Sequence, residues 1–252
     1  MKQLILILCC FLPLFGWAQE EGVVNYKETV RLQVKVPEGS GITQEQLEAM
    51  LPGEQVTYKQ LFFNKTATLY SSDRTKSSGE NEYNMQDGDT HIQVKTISAN
   101  GEGIVYHDLQ DHSTVEQRQF LGRTFLVAGR ADKYDWKLTG AQKEVAGYPC
   151  QQATAEGEGR TIEAWFTPAI PVPAGPDGFA NLPGLVLEAF IKTEQSERRL
   201  SAQEIRFEPV DKTIIQAPRK GRQVTDDEYR QIVEEKTREL TEQGGTSIRI
   251  GN

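Results

Sequence analysis

At 252 residues, with 37% hydrophobic and 25% charged side chains, the chain is long enough for one sizeable core, and its length alone does not call for two domains. A net charge of −8, with only short, separated basic stretches at Arg198-Arg199 and Arg219–Arg222, makes nucleic acid and anionic membrane surfaces poor partners. Of the three cysteines, Cys9 and Cys10 fall in an apolar N-terminal run and Cys150 stands alone, which excludes an internal disulfide or a redox pair in the exported form.

Residues 1–18 have the order of a signal peptide: Lys2, an apolar run from Leu4 to Phe15, and the small-x-small site Gly16-Trp17-Ala18. Leu8 precedes Cys9 and Cys9 precedes Cys10, where a lipid-anchored leader needs a small residue. The expectation is cleavage near Ala18, no acyl anchor, and a periplasmic or secreted protein without a transmembrane segment. Residues 19–223 then read as one antiparallel β domain, and 224–252 as a helix and tail packed on it.

Alternation of Val30, Leu32, Val34 and Val36 predicts a strand within 21–36. Thr43 and Gln46 form a capping-box pattern that opens a short helix with Leu47, Met50 and Leu51 on its apolar side, stopped by Pro52-Gly53. A hairpin follows, Val56–Asn64 with Thr66–Tyr70, turning at Asn64-Lys65. The polar segment 71–89 reads as a mobile loop. Strands are expected at 91–97, 103–108, 113–120, 124–127, 135–138, 145–154 and 160–166, with turns at Asn100-Gly101, Asp132-Lys133 and Gly157–Gly159, the rhythm of a meander.

The stretch from Thr161 to Glu188 organises the rest. Ile162, Ala164 and Phe166 share one strand face, as do Leu185, Leu187, Ala189 and Ile191 of the next strand. Between them Pro168, Pro171, Pro173 and Pro176 fix φ and remove donors, so 167–183 is expected to form a stiff flap that lies across the sheet and cannot pair into it. Pro183-Gly184 suits a type II turn, with Leu182 and Leu185 flanking it. Leu200–Pro209 is expected to pair with Leu185–Thr193 through a turn at Gln195–Arg199. Thr225 and Glu228 form a second capping box, Val224 can staple against Tyr229, and Tyr229, Ile232, Val233, Lys236 and Leu240 follow at helical spacing up to Gly244-Gly245. This helix is expected to cover the sheet, with Thr246–Ile250 adding an edge strand.

Asn181-Leu-Pro-Gly-Leu-Val186 resembles the signature of the GLPGLI family, secreted proteins of Bacteroidetes, with Asn181 for the first Gly and Val186 for the final Ile. Tyr134-Asp-Trp136, Gly147–Cys150, Glu163-Ala-Trp165, Gly175-Pro176 with Phe179, and Gly221–Tyr229 are similar to other family pieces. The resemblance implies export and little chemistry, because the family has no settled biochemical function.

Two constellations remain. His107, Asp108, Asp111 and His112 could bring two imidazoles and a carboxylate to a metal at a hairpin turn; the competing reading is that they simply make the turn. His91 is the only other histidine. Trp136, Tyr148, Trp165, Phe166 and Phe179, with Tyr134 beside them, either line an apolar pocket under the flap or fill the core. Cys150 has no activating neighbour and reads as a buried small hydrophobe. No nucleophile motif, phosphate cradle or cofactor signature occurs. The expected fold is mainly β (α+β), a strongly curved antiparallel sheet or half-barrel with a short early helix and a C-terminal amphipathic helix; by analogy it resembles periplasmic lipoprotein carriers. The expected function is that of an exported, non-enzymatic binding or envelope-accessory protein that holds an apolar small molecule or a protein partner. Metal handling at His107/His112 is the alternative, and a hydrolase comes third.

Overall fold

The computed structural model describes residues 21–33, 53–76 and 103–242 apart from 132 and 158, together with short pieces at 43, 45–46, 83–87, 90–94, 97–98 and 249–250. The expected signal peptide lies outside these residues, as does most of the early helix. At that helix Thr43 N–H donates to Gln46 Oε1 at 2.8 Å and Gln46 N–H to Thr43 Oγ1 at 3.2 Å, the reciprocal bonds of a capping box.

In chain order the elements are β1 (Gly22–Leu32), β2 (Gln55–Phe63), β3 (Ala67–Ser72), β4 (Tyr83–Asp87), β5 (Thr90–Val94), β6 (Ile97–Ser98), β7 (Ile104–Asp108), β8 (Ser113–Phe120) and β9 (Arg123–Arg130). There follow β10 (Lys137–Val145), β11 (Tyr148–Gly157), β12 (Arg160–Thr167), β13 (Leu185–Lys192), β14 (Ser196–Arg206), β15 (Arg222–Thr225), α1 (Asp226–Glu242) and β16 (Arg249–Ile250). The protein is mainly β: twelve strands form one open sheet in the order β10-β11-β12-β13-β14-β1-β2-β3-β7-β8-β9-β15. Every pairing in it is antiparallel except that of β15 on β9. Among the described residues no helix is long and apolar enough to cross a membrane.

The topology joins two meanders. β1, β2, β3, β7, β8 and β9 run outward from the middle in one direction, and β10 to β14 come back from the far end until β14 lies against β1, with Val23 opposite Arg206 and Leu32 opposite Ser196. The link between the meanders, 131–136, therefore connects strands near opposite ends of the sheet order.

Several expected strands shift. The span 145–154 is not one strand: β10 ends at Val145, Ala146 and Gly147 turn with φ of +50° and +82°, and β11 begins at Tyr148. Positive φ at both central residues is the hairpin turn that suits sheet twist, and Ala in the first position gives no turn signal. The β13–β14 turn comes earlier than Gln195–Arg199, because Thr193 Oγ1 takes the N–H of Ser196 at 3.0 Å and lets β14 start there. The polar segment 71–89 contains β4, paired with β5. The tail adds only the two-residue β16, parallel to β6.

Directly paired residues point to the same side of a sheet, so the ladders define one inner face. Val24, Leu61, Tyr70, Val105, Glu116, Val127 and Val224 lie in one row across it. Two bodies sit on this face. At one end α1 places Tyr229 and Val233, 0% and 1% exposed, against Phe120, Phe125 and Val127. Its N-terminus has the expected capping box, with Thr225 N–H to Glu228 Oε2 at 2.7 Å, and Arg118 ties it to the sheet through Asp226 at 3.2 Å. Lys236, expected on the buried stripe, is exposed and pairs with Glu239 instead, because a solvated ammonium costs nothing there. The second body is the flap between β12 and β13, packed into the larger core cluster with Tyr26, Phe63, Ile162 and Leu200.

Candidate functional site

The flap is more ordered than a proline loop need be. Its exposed prolines alternate with buried residues: Pro171 and Pro173 face out, while Ile170, Val172 and Ala174 are 0–5% exposed. Proline lacks an N–H, yet each intervening amide is bonded: Val172 N–H to Ile170 O and Ala174 N–H to Val172 O, both 2.8 Å. Contrary to the expectation that it cannot pair, the flap makes an Ala174–Ala180 bridge, and Leu185 N–H and Val186 N–H donate to Ile170 O and Ala174 O at 3.0 and 2.9 Å. The unpaired edges that prolines leave face solvent.

The signature turn Leu182–Leu185 is not type II. Gly184 has φ of +154°, far from the roughly +80° of that turn, and Leu185 N–H goes to the flap rather than back to Leu182. Glycine is needed because a Cβ here would lie 2.1 Å from Thr167 O and 2.6 Å from Thr167 C. Asn181, in place of the family's first Gly, has φ of +65°, a left-handed conformation that Asn tolerates better than most residues. Gly175 lets the flap touch β13: a Cβ would stand 2.6 Å from Val186 Cβ.

The five candidate aromatics lie in or against one core cluster but differ in burial. Phe166 and Phe179 are 0% and 1% exposed and belong to the core. Trp136 is half-buried; its Nε1–H donates to Ala180 O at 2.8 Å, and its ring stands 5.8 Å from that of Phe179 and 5.5 Å from Tyr134. Tyr148 is half-buried at the start of β11. Trp165 points to the opposite side of β12 from Ile162, Ala164 and Phe166, between Gln152 and Glu188, with Lys143 Nζ 4.2 Å above its ring.

The His107–His112 turn also separates its candidates. Asp108 Oδ1 accepts from Gln110 N–H at 2.9 Å and Asp111 N–H at 3.0 Å, so its carboxylate makes the turn. Asp111 and His112 are exposed, His112 with φ of +51°, whereas His107 is 2% exposed on the inner face. Among the described residues no three His, Cys, Asp or Glu side chains gather to hold a metal; His91 has no described side chain. His107 instead lies in a row between Thr68 and Thr114, and neither ring nitrogen has a hydrogen-bond partner. Burial, then the nearby His112, pushes its pKa down to about 4 against the opposing pull of Asp108. Because the folded value lies below the unfolded one, the unfolded chain binds more protons between about pH 6.5 and 4. Stability should be full above that window and fall by on the order of 3 kcal/mol through it. Urea midpoints against pH measure this, and His107→Leu should flatten the curve.

Sequence reasoning missed a connected polar group on the inner face. Arg198, 8% exposed, donates from Nε and Nη2 to Glu28 Oε1 at 3.0 and 2.6 Å and from Nη1 to Asp177 Oδ2 at 2.9 Å. Thr57 Oγ1–H donates to Glu28 Oε2 at 3.0 Å, and Lys59 Nζ is 3.9 Å from the same oxygen. Asp177 sits in the single 3₁₀ turn Pro176–Gly178 at the tip of the flap, with φ of +58°. Burial works against its charge, but Arg198, Arg160 and Lys59 hold the carboxyl below its usual range. The available signal was charge at inward positions: Glu28 alternates with Val24 and Tyr26, Arg198 with Leu200 and Ala202. Cys150 is buried, and burial pushes its thiol up to about 11.

With the flap and its turn described, residues 158–188 can be compared: they match the family model described as "Protein of unknown function (Porph_ging)". That model is the one of the GLPGLI family. The match covers β12, the flap, the signature turn and the start of β13. No curated protein matches the chain in sequence. Two solved structures of PNGF-II, in P21 and C2 crystal forms, are similar in fold, with TM-scores of 0.51 and 0.50 at 13% and 12% identity. The match takes in 85% and 84% of this chain but 33% of each of theirs, so the chain spans about a third of their length.

Proposed function

We propose that this GLPGLI chain is an exported, non-enzymatic accessory protein of the cell envelope that works through its surface on a protein partner. The carrying observation is the burial of the flap: Ile170, Val172, Ala174, Phe179 and Leu182 are 0–5% exposed. Side chains of the protein itself thus occupy the inner face where an apolar ligand would sit, and the aromatics left half-exposed, Trp136, Tyr148 and Trp165, lie at the rim of the flap or on the other side of the sheet.

The sheet in this reading is strongly curved, a half-barrel resembling the lipoprotein-carrier architecture. A length supports the curvature. Ten strand spacings separate β9 from β10 in the sheet order, about 48 Å in a flat sheet, whereas six linking residues reach at most about 25 Å. Bending of the sheet would let 131–136 close that gap.

Native mass spectrometry of protein purified from the envelope tests the reading: the expected mass is that of the polypeptide alone, and a retained acyl-chain ligand would favour a carrier instead. N-terminal sequencing should find Gln19 first; an acylated Cys9 or Cys10 would overturn the unanchored form, and an intact Met1 the export argument.

A further inference from the structure

Asp177 is an uncommon occupant of its place. It is a non-glycine residue held in a left-handed conformation at the flap tip, φ +58° and ψ 23°, and such conformations persist only where surrounding contacts over-determine them. Its contact is one charge-assisted bond to Arg198, on a nitrogen that Glu28 does not use. Unlike Arg198 and Glu28, whose side chains are 9% and 8% exposed, the Asp177 side chain is 18% exposed.

The surroundings favour an anion at this point. Arg198, Arg160 and Lys59 all act on the Asp177 carboxyl, against one further carboxylate, Glu28. Without Asp177 the joined group would hold Arg198 and Lys59 against Glu28 alone, in a partly dehydrated setting where charge pairing is strengthened. A second observation is independent of the ion pairs. The hydroxyl of Tyr70, a residue 4% exposed on the same face, has no hydrogen-bond partner, although Glu28, Asp177 and Arg198 are close enough to act on it. Buried hydroxyls are nearly always bonded, and this one is a donor left over. Arginine's planar fork recognises carboxylates in two-point contacts.

We propose that Asp177 fills, from within the chain, a binding site for a small carboxylate ligand, which pairs with Arg198 when the turn Pro176–Gly178 lifts. The ligand carboxylate replaces one charge with a like charge, so the buried arginine is never left unpaired, and exchange avoids the penalty of baring it. No bond is made or broken beyond this exchange. The inference goes beyond the accessory role and stands or falls without it.

Acetate and formate are the probes, titrated into the full chain with sodium chloride at matched ionic strength as control. In Asp177→Ala the internal competitor is gone, so acetate should raise the melting temperature and bind at least tenfold more tightly than to wild type. Arg198→Met in that background should abolish the response. In wild type, high acetate should shift the emission of Trp136, whose indole is bonded to flap residue Ala180. A folded Asp177→Ala that responds to neither acid, or equally to chloride, would overturn the site and leave Asp177 a fixed latch. Should Asp177→Ala fail to fold, Asp177→Asn removes the charge at constant size, and a missing response there counts against the proposal equally.

Discussion

Arg198→Met is expected to lower stability by about 3–5 kcal/mol, because it leaves the Glu28 carboxylate buried without its bidentate partner. At roughly 2–4 °C per kcal/mol for a chain of this size, thermal unfolding should move down by on the order of 10 °C. The cost should be one of isolation rather than of lost attraction. Glu28→Leu combined with Arg198→Met removes one ion pair beside Leu200 and Ile191 but leaves the Asp177 carboxylate without its arginine, and well-packed apolar replacements of buried pairs are often neutral. The double variant should therefore recover part of the loss and adding Asp177→Asn should recover more, couplings that mutant cycles read directly. Equal losses in the single, double and triple variants would mean that the guanidinium acts by volume alone.

Gly184→Val should be nearly as damaging. The added Cβ would overlap the Thr167 carbonyl at 2.1 Å, and backbone on both sides is fixed, Thr167 by β12 and Leu185 by its bond to Ile170. Strain and overpacking together give about 3 kcal/mol or more. Pro183→Ala, at the exposed neighbouring position, should cost less than about 1 kcal/mol. Melting curves of the two variants separate a glycine needed for close backbone approach from a turn preference in general; matching curves would contradict the steric account.

Features carried by local chemistry were legible in the sequence. The Thr225–Glu228 capping box, the Asn64 turn between β2 and β3, and the inward faces of β12 and β13 rest on residues a few positions apart, where alternation and side-chain capping act directly. The Ala146-Gly147 turn escaped because alanine rarely takes φ of +50°. β15 escaped because four strand residues run straight into the cap of α1. The order of strands had no local signature, since nothing in Gly22–Leu32 names β14 as its neighbour. The Arg198 group was hidden by one turn placed too late: with Ser196 as the first residue of β14, Arg198 falls on the inner face beside Leu200, and what looked like a polar turn becomes the anchor of the flap.

The central place of β1 has a consequence for how the chain acquires its structure. Val23 and Arg206 are partners across one ladder, so the first described strand and nearly the last stay apart until almost everything between them has been made. Each meander can zip from its own hairpins, but the seam between them closes late, and a chain dominated by such distant pairings folds slowly. A protein released with its N-terminal end first would carry β1 with one edge bare until β14 arrives. During that interval Val23, Val24 and Tyr26 present an apolar, hydrogen-bond-hungry edge, the kind of surface that draws aggregation or a chaperone's protection.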